Sequence, residues 1–332
     1  MIDEKQIIDA LDRRVQRRNE RREFFKTAST AAVAVGAAAM LPGCFGGGGG
    51  GNNTPPPPPP PPPPPTGIGD GDILNFALNT EYLEAQFYMF AATGSGLPAN
   101  LLTGVGTQGA VIGGRQVPFA DPIVAQYARE IANDEVAHVV FLRQQLGGAA
   151  VAQPAIDVGG TDPNGAFSNA ARSAGLVGAG QAFDPYLNDN NFLLGAFIFE
   201  DVGVTAYKGA APLITSKVFL EAAAGILAAE AYHAGLIRTV LNRRGVAMPS
   251  LRDNTEAIST ARDSLDGPTD LDQGIRPIGA ASNIVPTDAN GLAFSRTAGQ
   301  ALNILYLNRM AVDRGGFFPS GVNGQIRMSA AN

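Results

Sequence analysis

The 332-residue chain contains no tryptophan, one cysteine and two histidines. The single cysteine, Cys44, excludes an intrachain disulfide, and so few thiols and imidazoles exclude a cysteine-rich zinc module. The net charge is -6 and no long basic run interrupts the body of the chain, so the electrostatic footprint of a nucleic-acid partner is missing. Long hydrophobic runs are also scarce. An Ala-rich run from Thr27 to Leu41 would span about 22 Å as a helix, short of the roughly 30 Å core of a bilayer. Glycine and proline are plentiful, at 41 and 24 residues, and much of that excess falls before residue 70.

Residues 1–26 are strongly charged and carry three Arg-Arg pairs, the last opening Arg21-Arg22-Glu23-Phe24-Phe25-Lys26. This block resembles the twin-arginine export signal, and the Ala-rich run after it reads as the apolar region of a signal peptide. Leu41-Pro42-Gly43-Cys44 resembles a bacterial lipobox, whose cysteine becomes the lipidated first residue of the mature protein. Residues 1–43 are therefore expected to be a signal peptide with lipobox. The alternative is plain secretion after cleavage in the Ala-rich stretch. Residues 44–69 form a linker in which Gly46–Gly51 make a flexible coil. Pro55–Pro65 then make a polyproline II rod of roughly 34 Å. The expected partners are the twin-arginine export machinery and, through a lipid on Cys44, a membrane. The expected location is extracytoplasmic, in the periplasm or at the cell surface.

Past residue 70 the pattern turns helical. Asp72–Ala92 places Leu74, Ala77, Leu78, Ala85 and Tyr88 on the stripe that holds Glu81. Asp121-Pro122 opens a second helix that runs to Leu146, before Gly147-Gly148. A third runs from about Asp189 to Ala211, and a fourth from about Ser216 to Arg244, where Gly245 is expected to stop it. The short turn between three and four makes them antiparallel neighbours, while the long Gly-, Asn- and Asp-rich stretch between two and three permits a crossover. The expected fold is all-α, a four-helix bundle over residues 70–245. Residues 246–332 lack strong periodicity except near Thr297–Met310, so a short fifth helix and an irregular C-terminal extension packed on the bundle are expected.

Both histidines follow a glutamate by three residues, as Glu135-Val136-Ala137-His138 and Glu230-Ala231-Tyr232-His233. Positions i and i+3 share a helix face. With eleven glutamates in the chain, chance would put one before a given histidine about one time in thirty, and before both roughly one time in a thousand. The two halves repeat further. Glu81 precedes Tyr88 by seven residues and Glu200 precedes Tyr207 by seven; His138 precedes Arg143 by five and His233 precedes Arg238 by five. The order is Glu, Glu-x-x-His, Glu, Glu-x-x-His, and a pseudo-twofold bundle would bring all six groups to one central point.

These residues resemble the ferritin-like superfamily of carboxylate-bridged dimetal four-helix bundles. More narrowly, Leu74-Asn75-Phe76-Ala77-Leu78-Asn79-Thr80-Glu81-Tyr82-Leu83-Glu84-Ala85 resembles twin-arginine-exported bacterial ferritin-like proteins related to plant desiccation-related proteins. The tail segments Asn283-Ile284-Val285-Pro286-Thr287-Asp288, Tyr306-Leu307-Asn308 and Gly315-Gly316-Phe317-Phe318-Pro319 fit the same group. The resemblance covers about residues 70–320. It implies that Glu81, Glu135, His138, Glu200, Glu230 and His233 hold two metal ions. Mixed oxygen and nitrogen donors suit Fe or Mn, while four carboxylates oversupply oxygen for zinc. Glu84 is an alternative to Glu81, which is preferred for its match to Glu200. A metal-free core of Glu–His hydrogen bonds is the other alternative, although four carboxylates in one core repel unless protonated or metal-bound. Tyr88 and Tyr207 read as core residues. Asp134 and Asp201 could orient a histidine but are expected to face solvent, and Arg143 and Arg238 to lie or pair at the surface. The same six residues serve oxidases, peroxide-consuming enzymes and iron-binding proteins, and a structural role in desiccation stress is a further reading. A lipid tether and a long tail make a closed ferritin shell an unexpected assembly.

Overall fold

Three of the four long helices begin at a residue whose side chain accepts from a free backbone N–H of the first turn, and in the first a first-turn carboxylate reaches back instead. In the computed structural model, which describes residues 67–332, α1 spans Asp70–Thr93, and Asp72 accepts from the Gly69 N–H at 3.0 Å. Helix α2 spans Pro122–Leu146, with Asp121 accepting from the Ile123 N–H at 2.9 Å. A short α3, Ala166–Ser173, lies in the crossover. Helix α4 spans Asp189–Ala210 and is capped by Asn188. Helix α5 spans Lys217–Ala247 and is capped by Ser216. Two further helices follow, α6 (Ser250–Asp266) and α7 (Ala298–Leu305). The predicted export signal, the Cys44 lipidation site and nearly all of the linker lie outside the described residues.

Helix α1 packs along α2, and α4 along α5, giving the all-α bundle expected from the sequence. The loop before α2 and the crossover after it meet in a two-residue parallel ladder, β1 (Val111–Ile112) with β2 (Ile156–Asp157). No described helix is long and apolar enough to cross a membrane.

Helix α1 departs from the single apolar stripe predicted for it. It is buried on every face, including Asn75, Asn79 and Gln86. Loops cover the side that the bundle does not. Asn79 exchanges hydrogen bonds with the backbone of Asn323, at 2.8 and 3.0 Å, and Asn75 accepts from the Val151 N–H at 3.0 Å. Buried amides that pair with irregular backbone are the polar signal of such a cover.

Gly245 does not stop α5, which continues to Ala247. A Cβ on Gly245 would lie 2.6 Å from Arg252 Cγ, so this glycine serves close packing against α6. The extension is also more ordered than its periodicity suggested. The buried positions of α6 are Leu251, Thr255, Ile258, Ser259, Arg262 and Asp266. That is a helical stripe in spacing but two-thirds polar in chemistry, which hides it from an apolar-period reading.

Its polar residues belong to a buried ion network. Arg238 on α5 and Arg262 on α6 both reach Asp201 Oδ2, at 2.8 and 3.1 Å. Arg262 also meets Asp272 at 2.5 Å, and Arg296 meets Asp266 at 2.6 Å and Asp272 at 3.0 Å. Arg238 further donates to the carbonyls of Gln273, Gly274, Asn283 and Ile284. It is 1% exposed, which corrects its expected surface position. Arg143, its counterpart, is partly buried and donates to Tyr82 Oη and the Thr103 carbonyl. Three arginines thus neutralise three aspartates where α4, α5, α6 and the tail meet. Phe317 from the tail also stacks edge-on against Phe167 and Phe199, with centroids at 5.2 and 4.8 Å.

Candidate metal centre

Five carboxylates and two imidazoles meet at the middle of the bundle. Helix α1 supplies Glu81 and Glu84, α2 supplies Glu135 and His138, α4 supplies Glu200, and α5 supplies Glu230 and His233. Every one of the five carboxylates is buried. The i,i+3 spacing turns each Glu–His pair inward together, and the structure brings all six sequence-predicted groups into one cluster.

Donor atoms of Glu81, Glu135, His138 and Glu230 lie within 4.8 Å of one another, as do those of Glu200, Glu230 and His233. Glu230 is common to both sets. Glu135 reaches both rings, with Oε2 at 3.4 Å from His138 Nδ1 and Oε1 at 3.0 Å from His233 Nδ1. These are the placements of carboxylates shared between two cations. His138 Nδ1 lies 3.0 Å from Glu81 Oε2 and 3.7 Å from Glu230 Oε1. The two rings are 6.2 Å apart.

The donor set fits a pair of metal ions. Both oxygens of Glu135 and of Glu230, Glu200 Oε2 and His233 Nδ1 are buried without any hydrogen-bond partner. His233 Nδ1 and Glu135 Oε1 are 3.0 Å apart yet are not aligned as donor and acceptor, so each is left available to a cation placed between them. Leaving a buried polar atom unpaired costs about 1–3 kcal/mol, and cations at that point would satisfy several at once. Four ligand carboxylates also balance two divalent charges. Gly203, one turn beyond Glu200, makes room for the cluster, since a Cβ there would lie 2.4 Å from Glu230 Oε2 and 3.4 Å from Glu84 Oε1.

Without metal the cluster holds protons. Burial pushes Glu81 up to about 7 against the pull of His138. Burial likewise pushes Glu200 up to about 8 against the pull of His233. Glu84 and Glu230 are held well above the ordinary carboxylate value by burial and then by neighbouring carboxylates. Burial works against ionisation of Glu135 too, but contact with both histidines outweighs it and brings the group down to about 2. Burial favours neutral rings, yet the surrounding carboxylates raise His138 to about 11 and His233 to about 10.

Two tyrosines expected only as core residues hold ligands. Tyr88 on α1 donates to Glu200 Oε1 on α4, and Tyr207 on α4 donates to Glu81 Oε1 on α1. The exchange is reciprocal, and the repeated seven-residue spacing was its signal in the sequence. Glu84, weighed as a substitute for Glu81, is instead a fifth buried carboxylate beside it. Asp134 was expected to face solvent. Its side chain is 50% exposed, yet its Oδ2 lies 3.3 Å from His233 Nε2, on the ring nitrogen opposite the cluster. Asp201 is turned away from the histidines and held by Arg238 and Arg262. A groove of about 950 Å³ between α2 and α5 opens onto His233 and Asp134.

A model of the ferritin-like domain family matches residues 69–243. The chain is 32% identical over 275 residues to the desiccation-related protein PCC13-62 of Craterostigma plantagineum, covering 77% of this chain and 83% of that protein. It is 28% identical over 273 residues to the ferritin-like catalase Nec2 of Nesocodon mauritianus, covering 77% of this chain and 84% of that one. No solved structure gives a significant match.

Proposed function

The chain belongs to the ferritin-like domain family, and from that premise we propose that it binds two Fe or Mn ions and consumes peroxide or oxygen as an exported stress-protection protein. The observation that carries this reading is the set of buried, unpaired carboxylate and imidazole atoms converging from four helices. The name of the catalase relative favours peroxide among the two oxidants. In this reading Glu81, Glu135, His138 and Glu230 hold one ion, and Glu200, Glu230 and His233 hold the other. When bound, a redox-active pair would supply the two-electron exchange of peroxide disproportionation, in which one peroxide is reduced to water and a second is oxidised to oxygen.

The chain's own groups do the rest. Tyr88 and Tyr207 fix one oxygen each of Glu200 and Glu81 by donating to it, leaving the second oxygen free to face the cluster. Glu84, buried and held well above the ordinary carboxylate value, is a carboxyl that can keep a proton at the site near neutrality. Tyr88 is itself held by edge-on packing against Phe87 and Phe192.

Reconstitution of the purified chain with Mn(II) or Fe(II), followed by hydrogen peroxide, tests the proposal. Peroxide should disappear at a rate that depends on bound metal and falls at least ten-fold in Glu135→Ala. Equal consumption by the metal-free and metal-loaded forms would overturn it. A structural role in desiccation is the second reading, favoured by the name of the other relative. Chelation would then lower the melting temperature while the loaded protein consumes neither oxidant. We carry forward from the sequence export through Arg21-Arg22 and lipid anchoring at Cys44; Cys44→Ala should move the protein from the membrane fraction to the soluble one.

A further inference from the structure

The groove between α2 and α5 is large for the oxidants just named. Oxygen and peroxide have two heavy atoms each, whereas the groove measures about 950 Å³, at the top of the range for small-molecule sites. Its walls are apolar, built from Ile131, Leu236, Val240 and Val285, and two tyrosines, Tyr127 and Tyr232, border it. Tyr232 is 80% exposed, an unusual degree for a tyrosine, which tends to bury its ring. The polar groups in the lining are Glu130, Asp134, Thr239 and His233, with no lysine or arginine among them. Along its lining the half-exposed Asp134 turns Oδ2 to His233 Nε2, which leaves Oδ1 open to the groove.

We infer that this groove binds a neutral phenol, with its ring between the apolar wall and the tyrosines and its hydroxyl donating to Asp134 beside His233. The chemistry selects this class. A flat ring suits the apolar walls and can stack on tyrosine. One hydroxyl donor suits an unpaired carboxylate oxygen. An anionic ligand of the same size meets Glu130 and Asp134, while the one cation beside them in the metal-free chain, the His233 ring, is already surrounded by Asp134, Glu135 and Glu200, so a benzoate is disfavoured. The inference rests on the dimetal reading only for what the bound phenol would be used for; binding itself requires the groove alone.

The test uses the full chain, metal-free, with 4-fluorophenol as probe and 4-fluorobenzoate as control, both followed by ¹⁹F NMR. The expected result is saturable binding of 4-fluorophenol, at least ten-fold tighter than that of 4-fluorobenzoate. Ala228→Arg, which places a long charged side chain in the lining, should weaken 4-fluorophenol binding at least ten-fold. Tyr232→Ala should weaken it several-fold. Metal uptake by both variants, measured separately, reports that the bundle is intact. Equal affinity for the two probes, or 4-fluorophenol binding unchanged in Ala228→Arg, would overturn the inference. So would sedimentation showing that the groove is closed by a second copy of the chain at the concentration used. Failure of the dimetal reading has a different signature, in which neither wild type nor variants take up metal while 4-fluorophenol still binds.

Discussion

Gly203→Ala changes no ligand and no charge, yet it should disable the metal centre. In the middle of a helix, alanine is favoured over glycine by about 1 kcal/mol, so on backbone grounds the substitution stabilises the protein. The new methyl, however, would lie 2.4 Å from Glu230 Oε2. Restoring ordinary contact requires that oxygen to retreat by roughly 1 Å. In the metal-free protein the retreat is cheap, because the atom is the end of a flexible side chain with no hydrogen bond to lose. With metal bound it is not, since ligand distances hold within about 0.2 Å and Glu230 belongs to both donor sets. The expected outcome is a metal-free melting temperature equal to wild type or raised by about 2–4 °C. Metal affinity by titration calorimetry should fall about 10–100-fold, by analogy with the loss of a supporting group at metal sites. Wild-type affinity at both positions would refute the argument that Glu230 is shared between two ions. A lowered metal-free melting temperature would refute the claim that the cost falls only on the bound state.

Three further outcomes follow from the geometry. Asp134 backs His233 while its pseudo-symmetric counterpart is Ala229, so Asp134→Ala should weaken one of two stepwise metal affinities by about 10–100-fold and leave the other; equal weakening of both would contradict this. Metal-free stability should fall as pH rises from about 5 to 8, because Glu81 and Glu200, raised from 4.5 to about 7 and 8, bind protons in the folded chain that the unfolded chain has already released. The raised histidines act in the same direction above 6.5, whereas Glu135, lowered to about 2, favours the fold above 4.5 and loses that contribution only on acidification towards 2. The slope is about 1.4 kcal/mol per pH unit for each proton, and a metal-free melting temperature that is flat or rising over this window would sink the assignment. Finally, Arg296→Met should destabilise by about 3–5 kcal/mol in denaturant unfolding, since it leaves Asp266 buried without its cation and Asp272 with Arg262 alone; a loss under about 1 kcal/mol would show that the network is not an uncompensated-charge trap.

The buried Glu–His cluster was legible because its chemistry is written in a spacing. A carboxylate three residues before an imidazole, repeated, needs only a helix to become a site, and capping residues such as Asp121 and Ser216 announced the helices. The fold around it was less legible for physical reasons. Helix α6 buries Thr255, Ser259, Arg262 and Asp266, and a polar stripe leaves no hydrophobic period to read. The cover over α1 depends on Asn75, Asn79 and Asn323 pairing with distant backbone, contacts that no local pattern encodes. Arg238 and Asp201 looked like surface charges because their further partners, Arg262 and the carbonyls of Gln273, Gly274, Asn283 and Ile284, come from beyond the bundle, in a stretch with little apolar periodicity. Asp134 was missed for the opposite reason, since being next to a ligand in sequence says nothing about reaching a histidine on another helix.

Metal content and metal–metal coupling in the purified chain test the central claim most directly. After anaerobic reconstitution with Mn(II) and removal of excess ion, the account predicts two ions per chain and an electron paramagnetic resonance spectrum of a coupled pair. Loss of Glu230 as Glu230→Ala should abolish the coupling. One ion or fewer per chain, or two ions with the spectrum of isolated Mn(II), would contradict a centre in which Glu230 is shared.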